Sequence, residues 1–123
     1  MDNFYREEIM EIYKNPLNRG NMSSPTKSAT VVNPFCGDSI TLELKILDNK
    51  ILDAKFNGDA CAIGVISASF LTENIIGKSL KEASSVTKEQ LLDMIGINLT
   101  TSRVKCAILI LDALHKAMEP HNL

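Results

Sequence analysis

Residues 39–56, SITLELKILDNKILDAKF, hold two alternating runs on either side of Asp48 and Asn49. In the first run Ile40, Leu42, Leu44 and Ile46 fall on one face and Thr41, Glu43 and Lys45 on the other, the period of two that marks a half-buried strand. Asp and Asn tolerate the backbone angles of tight turns, so a β-hairpin is predicted to join Ile40–Leu47 to Ile51–Phe56. Just upstream, SATVVN (28–33) is short and β-branched and reads as a third strand, giving three antiparallel strands.

Helical periodicity flanks this sheet on both sides. Phe4, Ile9, Ile12 and Tyr13 recur at roughly helical intervals over 3–13, and the breaker-rich NPLNRGNMSSP (15–25) follows as a loop. CAIGVISASFLTENII (61–76) is apolar and rich in small residues, which predicts a nearly buried helix stopped by Gly77. KSLKEASSV and TKEQLLDMIGI read as two short helices, the second with Thr87 as N-cap and Gln90 completing a capping box. The last helix is predicted over about 102–118, with Val104, Ile108, Leu111 and Leu114 on one face and Pro120 closing it. Strands first and helices afterwards predict an α+β fold: a three-stranded antiparallel sheet with helices packed on one face. A chain of 123 residues suffices for one domain with a single modest core. Residues 1–26 form its N-terminal helix and loop, a segment with few core anchors that is expected to be mobile without metal.

Composition narrows the function. A formal net charge of −2 and a pI near 5.6 lack the basic footprint that neutralises phosphates, which argues against a nucleic acid as partner. No apolar run approaches the length of a membrane span, and MDNFYREEIMEIY (1–13) has no basic region followed by an apolar core, so a cytoplasmic protein with no membrane partner is expected. The 3 cysteines are an odd number, widely separated, which makes a disulfide framework improbable in a reducing compartment.

Each cysteine falls at or near an element boundary. Cys36 precedes a strand in a Cys-Gly-Asp turn, Cys61 follows NGDA at the start of a helix, and Cys106 is predicted in the first turns of the last helix. Unsatisfied N–H groups and the positive dipole end of a helix stabilise a thiolate, an effect expected at Cys61 and more weakly at Cys106. Lys105 is either a positive charge serving Cys106 or a solvated surface residue. Asp38 lies two positions after Cys36, and the intervening Gly37 permits a sharp approach. Three thiolates and one carboxylate suit tetrahedral zinc or the iron of an iron–sulfur cluster, the oxygen being the more exchangeable corner. From the residues alone two readings stay open at each point. Asp38 is a ligand or a turn cap, and the thiols form a metal or sulfur-transfer site or are simply packed. The absence of a Cys-x-x-Cys pair excludes a zinc-finger pattern. His115 lies on the side of its helix away from Cys106, and His121 follows Pro120, so neither is taken as a ligand.

With these contexts in place the sequence resembles the iron–sulfur cluster scaffold family of IscU, SufU and the NifU N-terminal domain. The resemblance runs from FYREEIMEIYKNPLNRG through NPFCGD and DAKFNGDACAIGVISASFLTENIIGKS to RVKCAILILDALHKA, nearly the whole chain. It implies a small α+β fold whose three cysteines and one aspartate, here Cys36, Asp38, Cys61 and Cys106, gather at one exposed end. There a cysteine desulfurase hands over persulfide sulfur, iron is added, and a [2Fe-2S] cluster is assembled and passed to recipient apo iron–sulfur proteins. Cys106 is the first candidate for the persulfide acceptor, with Cys36 and Cys61 beside it, and a homodimer is expected in the cluster-bound form. Such a protein is a scaffold and sulfur acceptor rather than an enzyme, with sulfurtransferase activity left open. The variant reading, prompted by RVKC, is a zinc-dependent SufU-like sulfurtransferase in which zinc holds the same four residues.

The chain departs from the family pattern in four places. Lys105 stands where IscU-type members commonly carry a histidine, which strengthens Asp38 as the fourth ligand and, with Arg103, makes the site more electropositive. LTTSRVKC replaces the Leu-Pro-Pro-Val-Lys segment presented to a chaperone. The inserted segment of SufU-type members has no room between Gly77 and Arg103. Ala60 replaces the glycine usual before the second cysteine. Tyr5 matches an N-terminal family tyrosine, with simple helix packing as the alternative.

Overall fold

The Asp48-Asn49 turn sets the sheet. In the computed structural model, which describes residues 2–34, 37–96, 99 and 101–119 without the side chains of 2–6, 101 and 102, both turn residues have positive φ, 52° and 66°. This is the backbone of a two-residue hairpin loop whose twist matches that of its strands. The turn joins β2 (Ser39–Leu47) to β3 (Lys50–Asn57), and β1 (Lys27–Val32) pairs with the other edge of β2, all antiparallel in the order β1-β2-β3. The register shifts once. Lys45 faces Asp53 and Ile46 faces Ile51, leaving Leu52 unopposed and exposed. This bulge lets both Ile51 and Ala54 turn inward, which strict alternation would forbid.

One sheet face is apolar and covered. Ala29, Ile40, Leu42, Leu44, Ile51, Ala54 and Phe56 are buried there. The opposite face is a polar ladder in which the Thr30 and Thr41 hydroxyls meet at 2.7 Å, Glu43 opposes Lys55 and Lys45 opposes Asp53, the cross-strand pairing expected of a solvated face. Helices therefore pack on one side only, as predicted. They are α1 (Asp2–Lys14), α2 (Ala62–Ile75), α3 (Leu80–Ser84), α4 (Lys88–Ile95), α5 (Thr101–Ala107) and α6 (Leu109–Met118). The open edge of β3 is shielded by residues 18–20: the Phe56 N–H donates to the Asn18 carbonyl and the Gly20 N–H to the Phe56 carbonyl, a protection exposed strand edges need.

The central helix is α2. Apolar nearly all round, with Ile63, Val65, Ile66, Ala68, Leu71 and Ile75 buried, it packs against β3, α1, α4, α5 and α6, as a helix without a polar face must. On α1, Ile9 is buried and Ile12 half-buried, but Tyr13 is exposed; its placement on the apolar face is corrected here. Among the described residues no helix is long and apolar enough to cross a membrane.

The final helix differs from the single span predicted. It is interrupted at Ile108, which has φ −89° and ψ 0°. Hydrogen bonds from the Ile108 N–H to the Val104 carbonyl and from the Asp112 N–H to the Ile108 carbonyl carry the chain through the interruption. Both halves pack on α2, and α6 packs in addition on β1, β2 and α3. A 3.6-residue periodicity does not reveal such an interruption.

Ser79 and Thr87 head capping boxes at α3 and α4, the second as predicted from Thr87 and Gln90. At the first, the Ser79 backbone N–H, and then its hydroxyl, hold the Glu82 carboxyl below its ordinary value of 4.5. A carboxylate lowered in the folded state stabilises above its unfolded pKa and loses that contribution as pH falls through the lowered folded value. The stability difference between the native chain and Glu82→Ala, measured by urea denaturation, is therefore expected to be fully present at pH 6–7 and to shrink as the solution is acidified below about pH 4; a difference that grows on acidification would contradict the assignment.

Candidate metal centre

The candidate site lies at the end of the sheet where β2 begins and β3 finishes. Two backbone pairs shape the loop between β1 and β2: the Asn33 N–H donates to the Asp38 carbonyl and the Gly37 N–H to the Asn33 carbonyl, each at 2.8 Å. Gly37 has φ +77°, a conformation that a side chain resists, so Asp38 can turn back within two residues of position 36. Across the sheet end, the Ser39 N–H donates to the Asp59 carbonyl at 2.8 Å, extending the β2–β3 ladder into the connection that leads to α2. Gly58 makes this approach possible. Its φ is +134°, and a Cβ there would stand 2.3 Å from the Ser39 carbonyl oxygen.

This connection delivers Cys61 to the N-cap of α2. The cap group is not the cysteine side chain. Instead Asp38 Oδ2 accepts a hydrogen bond from the Cys61 N–H at 3.1 Å, satisfying one of the orphan donors at the helix start with a carboxylate at its positive end. The Cys61 side chain makes no capping hydrogen bond. Ligand and cap are thus compatible in Asp38, because one carboxylate oxygen serves the backbone and the other stays available.

Cys106 arrives from a different direction. It is the sixth of the seven residues of α5, not in the first turns of a long helix, so its sulfur does not draw on the positive end of α5; the dipole effect fades beyond the first turn. It is held by α2. Gly64 faces α5, and a Cβ at that position would lie 3.7 Å from the Cys106 carbonyl oxygen and 3.0 Å from the Ala60 Cβ. One turn on, the Ser67 hydroxyl donates to the Ala107 carbonyl.

The result brings together a carboxylate oxygen of Asp38 and the sulfurs of Cys61 and Cys106, all within 4.8 Å of one another. Tetrahedral zinc with Zn–S bonds of about 2.3 Å spaces its sulfurs roughly 3.8 Å apart, so small side-chain rotations bring these donors to bonding positions. Two soft sulfurs and one hard oxygen fit a borderline cation. Cys61 is exposed, and Asp38 and Cys106 are half-buried, which leaves the group open to solvent on one side. Cys36 falls in the same loop as Asp38 by sequence but lies outside the described residues, as do His121 and the side chain of Tyr5. His115 is exposed on α6 and is not in the donor group. Arg103 and Lys105 are exposed on either side of Val104 in α5. Gly64 and Ser67 carry no chemical signature in the sequence; small residues three apart in a helix that starts at a cysteine are their only mark.

A small antiparallel sheet whose open end gathers a carboxylate from a loop and thiols from a helix start and a helix end defines a class of metal- or sulfur-handling α+β proteins. The chain belongs to the family of the NifU-like N-terminal domain, whose model matches residues 4–122. It is 36% identical over 122 residues to the iron–sulfur cluster assembly scaffold protein IscU of Haemophilus influenzae, covering 96% of this chain and 95% of that protein. It is 35% identical to the zinc-dependent sulfurtransferase SufU of Bacillus subtilis, covering 96% and 91%. That alignment is 135 residues long against a chain of 123, so the relative carries residues this chain lacks. Among solved structures, FiSufU, a SUF-system protein of Fervidobacterium islandicum AW-1, superposes with a TM-score of 0.78 at 28% identity, covering 92% of this chain and 95% of that one.

The contact between positions 60 and 64 explains how Ala60 is tolerated where the family usually has glycine. Its methyl group occupies the space that the absent Cβ of Gly64 leaves. Gly64→Ala is therefore expected to destabilise the chain by about 1–3 kcal/mol through overpacking, and Ala60→Gly combined with it to recover most of the loss in a denaturant double-mutant cycle. Additive effects of the two substitutions would refute the coupling.

Proposed function

We propose that this protein is an iron–sulfur cluster assembly scaffold on which Cys36, Asp38, Cys61 and Cys106 receive iron and sulfur and from which the finished cluster is passed on. The observation that carries the reading is the convergence of Asp38, Cys61 and Cys106 from the β1–β2 loop, the start of α2 and the end of α5. IscU relatives named as scaffolds support it.

Sulfur enters by thiol–persulfide exchange with a cysteine desulfurase. A thiolate of this chain, Cys106 first among the candidates, attacks the terminal sulfur of the enzyme's Cys–S–SH. One S–S bond forms as another breaks, the desulfurase cysteine leaves as thiolate, and no net oxidation occurs. A dithiol reductant then cleaves the new S–S bond with two electrons, becoming a disulfide, so that the sulfane sulfur leaves at the sulfide level for a [2Fe-2S] cargo and the accepting thiolate is restored. Thiolates bind the iron, and the Asp38 oxygen is the corner that lets go, since it can fall back on the Cys61 N–H. Recipients are apo iron–sulfur proteins. Exposure of Cys61 suits exchange with both kinds of partner.

The SufU relative supports a second reading, in which the same four residues hold zinc and the chain serves as a sulfurtransferase. Zinc would supply a Lewis-acidic anchor that keeps the thiols deprotonated, while this chain's residues position the accepting cysteine.

One experiment separates the two readings. Anaerobic reconstitution of the apo-protein with iron, cysteine and a desulfurase is expected to give a visible-absorbing cluster with acid-labile sulfide, and Cys36→Ser, Cys61→Ser and Cys106→Ser are each expected to lose it. No cluster in the native chain, together with desulfurase stimulation that disappears when zinc is removed, would establish the sulfurtransferase reading instead.

A further inference from the structure

Ser67 lies on α2, fully buried, one turn beyond Gly64. Buried serine and threonine hydroxyls in helices ordinarily bond back to the carbonyl four residues earlier. Thr72 on the same helix does this, donating to the Ala68 carbonyl at 2.7 Å. The Ser67 hydroxyl instead crosses to another helix and donates to the Ala107 carbonyl. Ala107 is the last residue of α5, immediately after Cys106 and immediately before the interruption at Ile108. The final carbonyls of a helix lack intrahelical donors, and Ser67 supplies one at this point. Beside it, Gly64 faces the Cys106 carbonyl, which a Cβ at position 64 would meet at an ordinary contact distance of 3.7 Å. Two consecutive carbonyls of α5 are thus registered against two positions, three apart, on the helix whose N-cap is Cys61.

We propose that Ser67 is a positioning residue for the metal centre: its hydrogen bond to Ala107 fixes the register of α5 against α2 and so sets the Cys106 sulfur at bonding range from Cys61 and Asp38. The inference rests on the metal-site reading above, which it extends to a residue that touches neither metal nor sulfur. A hydroxyl kept in an apolar interior costs free energy unless it is paired, and packing alone would be served by alanine. Groups behind the ligands typically change metal affinity 10–100-fold when removed.

Cobalt(II) is a suitable probe, because thiolate-to-cobalt charge-transfer bands report sulfur ligands directly. Titration of the anaerobic apo-protein is expected to show about tenfold weaker cobalt binding in Ser67→Ala than in the native chain, with a weaker thiolate band at saturation, at a temperature where both are folded by circular dichroism. Ser67→Thr, which keeps the hydroxyl, is expected to restore the band, whereas Ser67→Val, matched to threonine in volume, is not. The Thr and Val variants carry the comparison if the alanine variant does not fold. Equal affinity and equal spectra in Ser67→Ala and the native chain, or in the Thr and Val variants, would overturn the proposal while leaving the metal site standing. Absence of any thiolate band in the native chain would instead overturn the reading on which it rests.

Discussion

One hydrogen bond organises the open end of this molecule: the Cys61 N–H donates to the Asp38 carboxylate. It joins the loop before β2 to the N-cap of α2, the helix against which α1, α4, α5 and α6 pack. The same contact caps α2 and holds a carboxylate beside a thiol. Its geometry depends on backbone freedom at Gly37 and Gly58, the second allowing a chain approach that a Cβ would block at 2.3 Å. Under the proposed function, a metal leaving the second oxygen would leave a carboxylate that still has the Cys61 N–H as its partner.

The remaining geometry comes from packing. Cys106 is separated from Cys61 by the whole of α2, by α3 and α4 and by most of α5, and nothing local directs the two sulfurs to each other. They meet because α5 lies against the Gly64 and Ser67 face of α2 while α6 continues along β1 and β2. A rigid buried helix therefore acts as the ruler for the site, and its N-terminus and its side each present one thiol-bearing partner. The exposed position of Cys61 and the half-burial of Cys106 and Asp38 leave donors that a protein partner can reach, whereas a structural metal would be enclosed.

Much of this was legible in the sequence, for identifiable reasons. Strand alternation around Asp48 and Asn49 and the Thr87–Gln90 capping box are local, so a short window carries the whole signal. Placement of Cys61 and Asp38 was legible because both sit at boundaries marked by glycine. The split of the last helix was not, since Val104, Ile108, Leu111 and Leu114 keep helical spacing across it. Tyr13 continued an apolar pattern but faces solvent, where periodicity cannot distinguish the edge of a stripe from its centre. The bulge at Leu52 and the crossing hydrogen bond of Ser67 depend on which residue lies opposite, and that information is absent from a single strand or helix.

The central claim is that sulfurs distant in sequence and one nearby oxygen bind a single metal ion. X-ray absorption at the zinc edge, on apo-protein loaded anaerobically with one equivalent of zinc, tests it without any partner protein. A first shell dominated by sulfur at about 2.3 Å with one oxygen near 2.0 Å is expected, with loss of that oxygen in Asp38→Ala. A shell of nitrogen and oxygen alone would contradict it.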